Sequence, residues 1–226
     1  MVVSLLLPTR KRLDAVRLSL ESLVSKMSGD NELELMLGFD MDDDTREAVV
    51  DMIRKEFPSV TFIAHVSERH GYRNLHKYYN SLSRYACGDW LFLWNDDTLM
   101  ETQDWDKVIE ENDGQFLLLS PQCREGHWKD YPGTLFPIIP RKWVEVTGRF
   151  SNNAHNDTWV GKIAQHLGIF KFVPIYVIHD RADMTGNNDD ETYREGKSGY
   201  DLERFDQQHG ERMEDAAKIK EYLQGA

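Results

Sequence analysis

The amino-acid sequence predicts an α/β fold: a mixed, mostly parallel sheet flanked by helices. Three observations predict it. From Met1 to Trp94, short apolar runs of strand length alternate with segments whose apolar residues recur at helical spacing, the pattern of right-handed βαβ units. Each run ends in a polar cluster, as strands do where their carboxyl ends border a binding crevice. The run Trp90 to Trp94 is short and aromatic, as suits a strand buried on both faces, and it stops at once in Asn95, Asp96 and Asp97.

Taken in order, Val2 to Leu7 is the first buried strand, ended by Pro8-Thr9-Arg10. Leu13, Val16, Leu20, Leu23 and Val24 mark a helix within Arg12 to Ser25, closed by Ser28-Gly29-Asp30. Leu33 to Phe39 is the second strand and runs into Asp40. Asp44 and Glu47 have capping-box spacing ahead of a helix carried by Ala48, Val49, Met52, Ile53 and Phe57. Val60 to Val66 is the third strand, with Ser67 to Gly71 as its turn, and Leu75 to Ala86 outlines a third helix stopped by Gly88. After Asp97 the alternation weakens. A short helix is predicted over Trp105 to Glu110, strands over Phe116 to Ser120 and Thr134 to Ile139, and a helical stretch over Arg141 to Gly148. Between them Pro121 to Pro132 reads as a loop whose aromatics either pin it to the core or stack on a ligand. Trp159 to Leu167 forms an apolar helix face closed by Gly168, and Phe170 to Ile178 is a last strand delivering His179, Asp180 and Arg181. From Ala182 apolar residues are sparse, and Arg212 to Leu223 reads as a surface helix.

Composition narrows the function classes. The 226 residues suit one domain, or one domain with an appendage, and 40% hydrophobic content indicates a packed core. A formal net charge of -12 argues against a nucleic-acid or anionic-membrane surface. Cys87 and Cys123 fit neither a disulfide framework nor a zinc site. No apolar run approaches the roughly 18 residues of a membrane span, and no signal-peptide pattern follows Met1, so a cytoplasmic protein is expected. There is no GxGxxG, P-loop or GxSxG motif.

Adjacent Asp96 and Asp97 at the end of a buried strand resist desolvation unless a cation or hydrogen-bond donors meet them. They invite a hard divalent ion with oxygen ligands, or else form an acidic turn that caps the next helix. Asp157, in Asn156-Asp157-Thr158, is placed to cap the helix of Trp159 to Leu167. His179 is a lone histidine at a strand end, a position that by itself reads as structural. Arg10, Arg69, Arg73 and Arg181 are candidate phosphate contacts, because a guanidinium engages two oxygens, or else solvated surface charges.

These residues together resemble the GT-A glycosyltransferases, in particular the inverting, family 2 type enzymes that use nucleotide-diphospho-sugars. The resemblance covers residues 1 to 180, with 1 to 98 as a nucleotide-binding half, 99 to 180 as an acceptor half and 181 to 226 as a polar tail with one helix. Its most specific part is Tyr79-Asn80 through Gly88-Asp-Trp-Leu-Phe-Leu-Trp-Asn-Asp-Asp-Thr98, similar to the family's Arg-Asn helix, glycine, strand and aspartate-rich DXD motif. Asn95 stands where that motif opens with Asp, and Tyr79 stands in place of the usual arginine.

The resemblance implies metal-dependent transfer of a sugar, with UDP as the expected nucleotide, to a glycan or other hydroxyl acceptor with inversion. It implies nucleotide contacts from Pro8, Thr9, Arg10, Asp40, Arg73, Asn80, Asn95 and Asp96. It further implies Mn2+ or Mg2+ on Asp97 and His179, and Asp157 as the catalytic base. A sugar-nucleotide nucleotidyltransferase is a weaker alternative, since Pro8 to Arg12 lacks the Gly-rich loop. A non-catalytic binding or scaffold protein is the other.

Overall fold

The computed structural model describes residues 1–123, 131–198 and 202–225. Strands and helices follow one another as β1 (Val2–Pro8), α1 (Leu13–Val24), β2 (Glu32–Asp40), α2 (Arg46–Glu56), β3 (Thr61–Ser67), a 3-10 turn (Tyr72–Asn74), α3 (Leu75–Tyr85) and β4 (Trp90–Leu93). The second half continues with β5 (Thr98–Met100), α4 (Trp105–Glu110), β6 (Leu118–Cys123), β7 (Ile138–Pro140), α5 (Arg141–Thr147), α6 (Asn156–Leu167) and β8 (Phe170–His179), then α7 (Glu191–Ser198), α8 (Leu202–Gln207) and α9 (His209–Gly225). The strands form one sheet in the order β3-β2-β1-β4-β7-β6-β8-β5. Pairing is parallel among β3, β2, β1 and β4 and between β6 and β8, and antiparallel at β4/β7, β6/β7 and β5/β8.

Because successive strand residues point to opposite faces, the continuous apolar runs of β1, β2 and β4 feed two cores. Leu5, Leu7, Leu35, Leu37 and Phe92 pack on one face against α1, α2 and α4. Leu6, Met36, Leu91 and Leu93 pack on the other against α3, α5, α6 and α9.

Several expectations are corrected. Asp44 does not cap α2: Thr45 holds the cap position without a side-chain cap bond, and the Asp43 carboxylate accepts from Thr45 N at 2.9 Å and Thr45 Oγ1 at 2.8 Å. The strand expected over Phe116 to Ser120 runs on through Pro121 to Cys123, with a register shift between Ser120 and Gln122, as a residue without an N–H imposes on a ladder. The strand expected over 134–139 is displaced and shortened to Ile138–Pro140. The Pro121 to Pro132 loop is therefore strand up to Cys123, and its Arg124, His127 and Trp128 lie outside the described residues. The tail is not a surface appendage: Phe205, Ala216 and Ile219 are buried in the second core, and Asp215 pairs with Arg149 at 3.0 Å while accepting from Trp159 Nε1 at 3.2 Å.

Candidate active site

The site is built at the carboxyl ends of β1, β2, β4 and β8. The approach of β4 to β1 depends on Gly88, where a Cβ would lie 2.5 Å from Ser4 Oγ and 2.8 Å from Ser4 N. At the far end of β4, Trp94 N donates to Leu6 O at 3.1 Å and Trp94 Nε1 to Ser19 Oγ at 2.8 Å. That indole is buried, so the chain leaves the sheet at a fixed point and presents Asn95, Asp96 and Asp97. Asp180 N donates to Asp97 O at 2.6 Å, which brings the end of β8 alongside.

The two aspartates are buried and their charge is answered. Thr9 Oγ1 donates to Asp96 Oδ2 at 2.7 Å. Arg12, itself buried, reaches Asp96 Oδ1 at 2.7 Å and Asp97 Oδ2 at 3.3 Å from one terminal nitrogen. Its Nε and other terminal nitrogen grip the two oxygens of Asp190 at 2.7 and 2.8 Å. Burial disfavours the Arg12 charge, but the carboxylates of Asp96, Asp190 and Asp97 more than restore it. Burial likewise opposes ionisation of Asp97, yet His179, Arg12 and Arg181 outweigh it and hold its pKa at about 2. Asp96 is shifted upward, chiefly by burial.

Asp97 Oδ1 faces His179 Nε2 at 3.1 Å. It lacks the alignment of a hydrogen bond, and His179 Nδ1 is also buried without a hydrogen-bond partner among the described residues. Two ligands at right angles on an ion with bond lengths near 2.1 Å lie about 3 Å apart, so this pair fits two neighbouring positions of one coordination sphere. Among the described residues no three His, Cys, Asp or Glu side chains converge as a metal cage. An ion here would complete its sphere with water or with oxygens of a bound ligand, the usual manner of a small divalent ion bound with phosphates.

Asn95 is oriented by Tyr79, whose one hydroxyl proton is shared between Asn95 Oδ1 at 3.1 Å and Trp94 O at 3.2 Å. Tyr79 and Asn95, the two departures from the pattern that the sequence resembles, are thus in contact with each other. Asn95 Nδ2 is left 3.5 Å from His179 Nε2.

Pro8, Thr9, Arg10, Asp40, Asn95, Asp96, Asp97 and His179 all line one cavity. Within it Asp40 accepts from Tyr78 Oη and, at 3.2 Å, from Arg10. Burial pushes the Tyr78 hydroxyl up, so it remains a donor. Asp157 lines a second cavity, which shares Tyr72, Leu75, Tyr79, Asn95, His179 and Arg181 with the first. His155 holds the cap position of α6 without a side-chain cap bond, and Asp157 is the second helical residue. Its Oδ1 accepts from Thr158 N at 2.6 Å and Thr158 Oγ1 at 3.3 Å. No salt bridge to Asp157 is formed among the described residues, and burial raises its pKa to about 6.

Two expected contacts are not brought to the site. Arg73 is exposed on the 3-10 turn and lines neither cavity. Asn80 also lines neither. Its amide nitrogen donates to Ser151 O at 2.8 Å and its oxygen accepts from Phe150 N at 2.8 Å and Ser151 N at 3.1 Å, so the side chain clamps the loop before α6. Sequence reasoning missed Arg12, Tyr78 and Asp190. For Arg12 the available signal was its place in the same post-strand cluster as Arg10; for Asp190 there was none.

Among solved structures the chain is similar to the mannosyltransferase PcManGT from Pyrobaculum calidifontis in complex with GDP-Man and Mn2+. The TM-score is 0.60 at 12% identity, over 79% of this chain and 56% of that one. It is also similar to S. aureus TarS 1-349 in complex with UDP, with a TM-score of 0.55 at 16% identity over 80% and 59%. The complex of TarS 1-349 with UDP-GlcNAc gives 0.55 at 15% over 80% and 57%. The fold is GT-A. The GT-A chain described here spans a little under three fifths of the length of these structures. No protein-family model matches it, and no curated protein matches its sequence. No helix among the described residues is long and apolar enough to cross a membrane.

Proposed function

We propose that the protein is an inverting glycosyltransferase that moves a sugar from a nucleotide-diphospho-sugar, a UDP-sugar first among them, to an acceptor hydroxyl with the help of Mn2+ or Mg2+. One observation carries the reading. On a GT-A fold, a cavity whose paired aspartates share one buried arginine adjoins a second cavity holding a carboxylate of raised pKa, and His179, Asn95 and Tyr79 line both. In this reading Pro8, Thr9, Arg10 and Asp40 hold the nucleoside, and Asn95 and Asp96 face the ribose and diphosphate. Asp97 and His179 would hold the ion from the protein side. A bound divalent ion would supply positive charge to the β-phosphate as it leaves. Asp157 takes the proton of the acceptor hydroxyl as that oxygen forms its bond to the anomeric carbon. The bond from that carbon to the β-phosphate oxygen breaks, and the electron pair departs with the nucleoside diphosphate.

The test is a thermal-shift panel of UDP, GDP, CDP, ADP and dTDP with and without Mn2+, on the wild type and on Asp97→Ala. A ligand at about 100 times its dissociation constant stabilises the native state by roughly 2.7 kcal/mol. The expected result is one diphosphate that stabilises only with Mn2+, an effect lost in Asp97→Ala. If no diphosphate shifts the wild type, the glycosyltransferase reading falls back to a likeness of fold and a non-catalytic binding or scaffold role moves ahead of it.

A further inference from the structure

Asp190 lies 178 positions from Arg12, in the segment after β8, yet the two form a bidentate pair. The same segment is attached to the donor cavity at further points. Thr192 Oγ1 donates to Arg10 O at 3.3 Å. Glu195 accepts from Arg69 and, at 3.3 Å, from Tyr72 N. Gly196 lies so close to Tyr72 that a Cβ would be 3.1 Å from its ring. All of these partners belong to loops that line the cavity.

We propose that Arg12 is a positioning residue of the metal-diphosphate site and that Asp190 sets its position, so that the segment after β8 and the site close as one unit. The inference rests on the glycosyltransferase reading above. A guanidinium is a rigid planar fork, so two N–H bonds fixed on Asp190 dictate where the remaining ones point. They point at Asp96 Oδ1 and Asp97 Oδ2, which leaves Asp97 Oδ1 turned toward His179. Charge agrees with geometry. Asp96, Asp97 and Asp190 set against Arg12 leave two negative charges, which one divalent cation cancels.

Neutralising Asp190 therefore acts on metal binding twice with the same sign: it removes one of those charges and it frees the fork. On a diphosphate without metal it acts the other way, because the cavity becomes less negative. A residue with a purely structural role cannot produce that split.

The variant is Asp190→Asn. Asp190 is part-exposed, and its Oδ1 also accepts from Tyr193 N at 2.8 Å, a bond an asparagine oxygen keeps. Mn2+ binding is measured by electron paramagnetic resonance, UDP and GDP binding by calorimetry with and without Mn2+, and closure of the segment by the rate of tryptic cleavage after Arg194. Mn2+ affinity is expected to fall at least about tenfold, as loss of a residue behind a metal ligand does, while metal-free diphosphate affinity holds or rises. Diphosphate with Mn2+ is expected to slow cleavage in the wild type and not in the variant. Arg12→Lys, which keeps the charge but loses the fork, should also weaken Mn2+ binding. Unchanged Mn2+ affinity in Asp190→Asn, or a parallel fall with and without metal, would overturn the inference alone. A wild type that binds neither Mn2+ nor either diphosphate would overturn both the inference and the reading beneath it.

Discussion

Asp97 and Asp157 are carboxylates on neighbouring walls of one cleft, and their surroundings push them in opposite directions. Asp97 sits between His179 and Arg12 with its pKa held at about 2, while Asp157 faces a cavity partly walled by Tyr79, Leu93 and Leu135 and stands at about 6. Residue type thus says little about role here, and the counter-charge supplied by other elements says much. A carboxylate kept ionised at every physiological pH suits a cation. One poised near 6 suits a proton acceptor, and two acids driven apart by environment are the usual mark of divided labour.

The sharpest way to break this comparison is Asp157→Asn. Transfer should fall by about 10²- to 10⁴-fold, the range for loss of a general base, with nucleoside diphosphate affinity retained. Steady-state transfer assays beside calorimetry check it, and a parallel loss of binding would place Asp157 in the donor cavity instead. The pH dependence sharpens it further. The base works ionised, so transfer should drop by about tenfold for each pH unit below 6 and level off above.

Stability should move the other way. A group whose folded pKa is raised stabilises the native state below its unfolded pKa and loses that contribution as pH rises through the folded one. Between pH 4 and about 6 the native state therefore loses stability on account of Asp157, and Asp157→Asn should melt higher than the wild type at pH 7 but not at pH 4. Asp97, with its pKa depressed, contributes stability that is lost only as pH falls through the range from about 4 to about 2. Melting curves from pH 4 to 8 separate the two aspartates, and equal slopes in wild type and Asp157→Asn would remove the pKa argument for the base.

How much of this was legible in the sequence depends on where burial lies. In β1, β2 and β4 the apolar runs are long or aromatic because both faces are covered, and the polar residues that end them fall at the sheet's carboxyl edge. Thr9, Asp40, Asn95, Asp96 and Asp97 could be placed on that basis. β5 has three residues and is defined only by pairing with β8, so no local pattern announces it. The packing of α9 rests on the few buried positions Arg212, Asp215, Ala216 and Ile219, too sparse to distinguish it from a solvated helix. Arg12 read as the polar start of a helix because the partners that explain its burial, Asp96, Asp97 and Asp190, all lie far along the chain. The contact between Tyr79 and Asn95 was equally invisible, although each residue was noted by itself as a departure.

Two smaller effects concern the residues that the resemblance placed at the nucleotide. Asn80→Ala removes three hydrogen bonds to the backbone of 150–151 and should cost about 1–3 kcal/mol of stability, with the folded variant still binding nucleotide. Denaturant unfolding checks it, and a stable variant that loses binding would restore Asn80 to the donor site.

The smallest expected effect belongs to Arg73→Ala. Tyr72, one residue earlier, lines both cavities, while Arg73 points away and is exposed. Surface substitutions of this kind usually shift energies by less than about 0.5 kcal/mol, so nucleoside diphosphate affinity should stay within about twofold of the wild type by calorimetry. A tenfold loss would carry a definite meaning. The 3-10 turn after β3 would then have to rotate on binding, bringing Arg73 inward and moving Tyr72 from the wall between the two cavities, and the boundary that separates Asp97 from Asp157 would not survive nucleotide binding.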